Sequence, residues 1–162
     1  MGAHYLNARQ NVPIDIDTAW KFLSDPRNLS TITPPDMGFQ ITSKDLPEKM
    51  YPGMVITYKV SPCPGFKTTW VTEITQVKEP EYFIDNQRTG PYQVWHHQHF
   101  LKEIPGGVQM DDKIHYVAPF AILGDIANAL IIKSKLRKIF EYRKTALEKK
   151  FGIMDGGFIE LG

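Results

Sequence analysis

The chain has 162 residues, 42% of them apolar, and 19 Lys and Arg stand against 18 Asp and Glu for a formal net charge of +1. That length suits one domain with a sizeable core, and the charge balance provides no field to draw nucleic acid or an acidic membrane surface. A single cysteine, Cys63, excludes an internal disulfide and a cysteine-built metal cage, which points to a reducing, cytoplasmic setting.

In chain order, His4–Val12 alternates, with Leu6, Ala8 and Val12 on one face, and predicts a first strand. "MGAHYLNARQ" lacks the apolar core of a signal peptide, and Leu6 breaks the myristoylation pattern. Asp15 or Asp17 then caps a short helix that presents Ile16, Trp20 and Leu23. Asp25-Pro26 starts a second short helix, which Pro34-Pro35 ends.

Strand signals follow at Met37–Ser43, Met54–Val60, Thr68–Val77, Tyr82–Arg88, Tyr92–Glu103 and Val108–Ala118. Turn residues such as Pro52-Gly53, Gly90-Pro91 and "PGG" separate them, and short connections imply an antiparallel meander. Cys63, in the turn "SPCPG", has no reactive context. Pro119 ends the last strand.

One long helix is predicted from about Phe120 to Phe151. Its first half, "ILGDIANALII", is apolar nearly all round and should be buried on more than one side. Its second half is basic, which suits a solvated face near the negative end of the helix dipole. Phe140, Tyr142 and Arg143 are placed as anchors of the helix end on the sheet or the short helices. Residues 1–151 form the domain. The tail 152–162 has two glycine breaks and should fray or lend Phe158, Ile159 and Leu161 to a neighbouring surface. No apolar run reaches the ~18 residues of a membrane span.

Several pieces, taken together and in order, resemble the START-like, or SRPBCC, helix-grip superfamily, and more narrowly its bacterial ligand-binding SRPBCC subgroup. They are "FLSDPRNLSTITPP" (22–35), "PGMVITYKV" (52–60), Trp70, "YFIDNQRTGPYQVWHHQHF" (82–100), "MDDKIHYVAPF" (110–120) and "LRKIFEYR" (136–143). The similarity spans about residues 4–150. It implies an α+β helix-grip fold: a curved seven-stranded antiparallel sheet around a long C-terminal helix, with two short helices after the first strand. It also implies a function class, since superfamily members bind lipids, sterols, polyketides or plant hormones and a few catalyse cyclisation or hydrolysis. Such analogy is associational.

The register of the last hairpin sorts the histidine cluster "VWHHQHF" (94–100). A turn at Pro105-Gly106, or one through all four residues of "IPGG", sets Leu101 opposite Met110, His99 opposite Asp112, His97 opposite Ile114 and Trp95 opposite Tyr116. Trp95, His97 and His99 then face inward and His96 outward. A four-residue loop Lys78–Glu81 places Phe83, Asp85 and Gln87 on the inner face with Trp70, Thr72 and Ile74, and a three-residue loop Thr89–Pro91 sets Asp85 near Trp95 and His97.

Three readings of this face compete. Two histidines two apart on a strand can chelate with Asp112 as a third ligand, but that spacing is a weak signal beside a plain His–Asp hydrogen bond, and no metal or cofactor is predicted. A histidine oriented by Asp112 or Asp85 can act as a general base, so His97, His99 and Asp112 are the catalytic candidates. A mixed aromatic and polar wall suits an amphipathic small molecule. The candidate ligand-binding residues are Tyr58, Trp70, Phe83, Asp85, Arg88, Trp95, His97, His99, Asp112, Tyr116, Ile126 and Leu130. The expected function is binding of a hydrophobic or amphipathic, lipid- or polyketide-like small molecule between sheet and C-terminal helix. The alternatives are a cyclase/dehydratase- or hydrolase-type enzyme using a His–Asp pair, and an interaction module with a filled cavity. Neither a nucleic acid nor an integral membrane segment is expected, and no protein partner is indicated.

Overall fold

A computed structural model describes residues 2–63, 65–118 and 125–162, without the side chains of 62, 63, 66 and 125–129. The architecture is α+β. Eight antiparallel strands form one curved sheet in the order β2-β3-β4-β5-β6-β7-β1-β8. They are β1 His4–Val12, β2 Gln40–Ile41, β3 Val55–Cys63, β4 Phe66–Lys78, β5 Tyr82–Thr89, β6 Val94–Ile104, β7 Gly107–Val117 and β8 Met154–Leu161. Helix α1 spans Ile16–Leu23 and helix α2 Asp125–Phe151.

Local chemistry explains most element boundaries. Asp15 caps α1 by accepting the Thr18 N–H at 2.8 Å, and α1 turns Ala19, Trp20, Phe22 and Leu23 into the core. Asp25 accepts the Arg27 N–H at 3.0 Å, but Pro26–Thr31 winds as a 3-10 helix rather than an α-helix. A second 3-10 turn, Pro35–Met37, ends at Gly38 with φ 53°. This shortens the strand expected at Met37–Ser43. Met37 belongs to the turn, and the amides of Thr42 and Ser43 both donate to the Thr57 carbonyl, so the ladder stops after Ile41.

The β6–β7 hairpin has the expected two-residue turn, with Ile104 opposite Gly107 and Gly106 at φ 84°. His99 pairs with Asp112, His97 with Ile114 and Trp95 with Tyr116. The β4–β5 connection is one residue shorter than expected, since Lys78 already pairs with Tyr82. A bulge at Thr75 restores the alternation, so Ile74 still meets Asp85 and Thr72 meets Gln87. Between β5 and β6 the register differs from expectation by two residues, placing Asp85 opposite His97. An even slip exchanges partners but preserves faces, so the inward set is unchanged.

Helix α2 lies across the concave face with a stripe of Leu136, Phe140, Arg143 and Leu147, spaced four, three and four residues apart. Its earlier part differs from expectation: Leu130 and Ile131 are 63% and 64% exposed. Phe120, Ile122 and Gly124 lie outside the described residues. Among the described residues, no helix is long and apolar enough to cross a membrane.

The tail provides the eighth strand, one more than expected. Gly152, at φ 103°, ends α2 with its N–H on the Glu148 carbonyl and lets the chain reverse. β8 then pairs antiparallel with β1, and Ile159 and Leu161 pack beside the cluster of Leu6, Ala8, Ile114, Tyr116, Leu136 and Phe140. Apolar contact on one face and a ladder on one edge hold a segment that its glycines alone would release.

Candidate functional site

Between the concave sheet, the 3-10 segment and α2 lies a cavity of about 190 Å³. Leu29, Ile32, Met50, Ile56, Ile74, Leu136 and Phe140 supply apolar walls, and Tyr58, Trp70, Tyr92 and Trp95 an aromatic one. Trp70 is the hub of that aromatic wall. It stacks on Tyr58 at 6.0 Å and meets Trp95 edge-on at 5.3 Å and Tyr92 at 5.7 Å. Gln87 holds the β5–β6 loop by donating to the Tyr92 carbonyl at 2.6 Å and accepting its N–H at 3.3 Å, which keeps Tyr92 on the wall.

Two polar features interrupt this apolar surface. The first is the hydroxyl pair of Tyr58 and Thr72 at 2.8 Å; the Trp70 indole N–H is buried without an acceptor among the described residues. Burial and the nearby Asp85 charge push the Tyr58 phenol up, so it stays neutral.

The second is a buried ionic cluster that reads across three strands. Asp85 comes from β5, His97 and His99 from β6, and Asp112 from β7. Strand alternation sets the two imidazoles side by side, 3.7 Å between ring centroids. His97 Nε2 lies 2.9 Å from Asp112 Oδ1, and His99 Nε2 lies 2.8 Å from Asp85 Oδ2. His99 Nδ1 is also 2.9 Å from Asp112 Oδ1, but without the alignment of a hydrogen bond. Arg143 descends from α2 to place a guanidinium nitrogen 3.2 Å from Asp112 Oδ2. Phe83 stacks on His99 at 4.1 Å and closes the other side.

The two histidines titrate in opposite directions. Burial and the adjacent His99 push His97 down. Burial alone would lower His99 too, but Asp112 and Asp85 outweigh it and raise that imidazole. Burial would raise Asp112; the Arg143 charge, the bond from His97 and the adjacent His99 outweigh it and hold the carboxyl well below the usual range. The carboxylates, imidazoles and guanidinium compensate one another across the cluster, which suits an interior site.

Of the residues singled out from sequence, Tyr58, Trp70, Phe83, Asp85, Trp95, His97 and His99 line the cavity. Asp112 sits behind the imidazoles rather than on the wall. Tyr116 is 1% exposed and packed against Trp95, Tyr92 and His4. Arg88 lies away from the site: it is the extra residue of a β5 bulge and bonds Glu73 on the outer face. Leu130 points to solvent, and the Ile126 side chain lies outside the described residues. His96 bonds Asn86 on the outer face at 2.6 Å, away from the other two histidines. Not anticipated as site residues were Tyr92, Thr72, Met50 and, above all, Arg143. Arg143 carried a readable signal, as the one charged position in the apolar stripe Leu136–Phe140–Leu147. The wall from the 3-10 segment had no such signal, because its position depends on long-range packing.

No family model and no curated protein matches the sequence. Solved structures do resemble the fold. Protein Ms6760 from Mycobacterium smegmatis is 20% identical over 90% of this chain and 89% of its own, with a TM-score of 0.65. Ginseng major latex-like protein 151 from Panax ginseng is 13% identical over 92% and 97%, with a TM-score of 0.66. Ara h 8.0201 is 13% identical over 91% and 99%, with a TM-score of 0.58. At these identities the likeness speaks to architecture alone, and that architecture is a helix-grip fold.

Proposed function

We propose that this protein binds a compact amphipathic small molecule in the cavity between sheet and α2. The observation that carries the reading is the cavity itself: about 190 Å³, walled by apolar and aromatic side chains, with a buried ionic cluster on one wall. An apolar engineered cavity of about 150 Å³ accommodates benzene, whereas drug-sized ligands occupy about 300–1,000 Å³. A substituted single ring or a small fused ring system therefore fits this space better than an extended acyl chain. Among lipid- and polyketide-like compounds, the compact aromatic ones suit it. A polar group on the ligand would meet His97, His99 or Asp85.

Tryptophan fluorescence tests this reading. Trp70 and Trp95 line the cavity, while Trp20 does not and packs behind its wall with Phe83, Leu101 and Met110. Saturable quenching by small aromatic carbonyl compounds, retained in Trp20→Phe and diminished in Trp70→Phe, is expected. A compound library that neither quenches nor raises the melting temperature of the wild-type protein refutes it.

One observation favours an enzymatic second reading. When His97 Nε2 carries the proton shared with Asp112, Nδ1 is left with a lone pair, the arrangement of an oriented general base. Turnover of a bound compound that disappears in His97→Gln, with ligand binding intact, would select that reading over simple binding.

A further inference from the structure

We propose that Asp85, His97 and His99 form a binding site for a divalent first-row transition-metal ion, open toward the cavity. Three observations converge on it. The first is the donor set. One nitrogen from each histidine and one Asp85 oxygen, all on buried side chains, lie within 4.8 Å of one another. Asp85 Oδ2 is 2.8 Å from His99 Nε2 and 3.8 Å from His97 Nδ1. Metal–ligand bonds of about 2.0–2.1 Å in a tetrahedral site place ligand atoms roughly 3.3 Å apart. The two distances from Asp85 bracket that value.

The second is the support behind the donors. The remaining nitrogen of each histidine faces the same Asp112 oxygen at 2.9 Å. An outer carboxylate on the far side of a histidine is the usual device for fixing the ring and raising its basicity as a ligand. Here Asp112 hydrogen-bonds the far nitrogen of His97 and lies beside that of His99, and Arg143 holds it at 3.2 Å. The sequence suggests Asp112 as the third ligand; the structure moves Asp112 behind the rings and puts Asp85 beside the free nitrogens.

The third is an unspent donor. His97 is 8% exposed, and its Nδ1 makes no hydrogen bond among the described residues; Asp85 at 3.8 Å is beyond bonding distance. A nearly buried ring nitrogen without a partner, on the wall of a cavity, is placed for an occupant of that cavity. Asp85, His97 and His99 line the cavity while Asp112 does not, so three protein ligands would leave the remaining coordination positions facing it. Two imidazoles and one carboxylate suit zinc or iron(II) rather than calcium or magnesium, which prefer all-oxygen shells.

The site shares a wall with the proposed ligand cavity, but its test needs no organic ligand, so the two ideas fail separately. Untagged full-length protein is stripped with a chelator, dialysed against micromolar zinc(II) or cobalt(II), and assayed by elemental analysis and by visible absorption of the cobalt form. The expected result is about one ion per chain, with cobalt bands of a four- or five-coordinate centre. Asp85→Asn and His99→Gln should weaken binding at least tenfold. Asp112→Asn should weaken it about 10–100-fold, as loss of an outer-shell partner does. His96→Gln, on the outer face, should leave it unchanged. Absence of stoichiometric metal in the wild-type protein overturns the proposal without recourse to any variant. So does binding that survives Asp85→Asn and His99→Gln in proteins whose circular dichroism matches the wild type.

Discussion

Arg143 is the strongest lever on stability. Its guanidinium reaches Asp112 at 3.2 Å, with both side chains about nine-tenths buried. At an effective dielectric of about 20, unit charges at that separation attract by about 5 kcal/mol. Replacing Arg143 with Met preserves apolar bulk and removes the desolvation cost of the guanidinium, but leaves the Asp112 charge buried among groups that no longer balance it. The expected net loss is about 3–5 kcal/mol, the range for breaking one side of a buried pair. That is a large part of the ~5–15 kcal/mol by which domains are stable. In urea, with a slope of about 2 kcal/mol per M, the unfolding midpoint should fall by roughly 1.5–2.5 M. Adding Asp112→Asn to Arg143→Met should restore part of the loss, because the orphaned charge is gone, and the double-mutant cycle should give a coupling of about 1–3 kcal/mol. A midpoint within about 0.5 M of wild type for Arg143→Met, at unchanged slope, would refute the account of this cluster as a charge-balanced unit.

Other outcomes test the rest of the architecture. Leu136→Ala should cost about 2–5 kcal/mol, since Leu136 is 2% exposed between helix and sheet, whereas Leu130→Ala at 63% exposure should stay within about 0.5 kcal/mol in the same denaturation assay. Truncation after Phe151 removes β8, bares the edge of β1 and uncovers the cluster around Leu6 and Ala8. It should lower the melting temperature and promote aggregation, measured by calorimetry and light scattering. The Thr18 amide and hydroxyl hold Asp15 below its ordinary 3.8. A depressed folded-state value means that its contribution is present above the unfolded pKa and is lost as pH falls through the folded one. Asp15→Asn, which can still cap α1 but carries no charge, should lower the neutral-pH melting temperature slightly and flatten its acid dependence below about pH 3.8; an unaltered acid limb would contradict this.

Much of the fold is legible along the chain because its signals are local. Alternation in His4–Val12, the Asp15 cap, and Pro105-Gly106 with its two-residue turn each depend on neighbouring residues only. The inward facing of His97 and His99 is legible for a related reason. Side-chain direction on a strand has a period of two, so the even register slip at β5–β6 and the compensating bulge at Thr75 leave the faces intact. Arg88 illustrates the same rule from the other side: alternation from the inward Asp85 and Gln87 already puts it outside.

Partnership is another matter. Whether His99 binds Asp112 or Asp85 depends on strand stagger, on ring rotation and on the descent of Arg143 from a helix more than thirty residues further along the chain. Each is decided by packing between elements distant in sequence. The same holds for β8. Its glycines argue for a loose tail, yet pairing with β1 and burial of Ile159 and Leu161 give it an ordered place. The sequence alone determined which strand side chains look into the interior, because the strand period of two is a property of the local backbone. Only the tertiary structure decided that two carboxylates, two imidazoles and one guanidinium meet there as one cluster, because long-range packing and the desolvation of those charges act between elements and not along the chain.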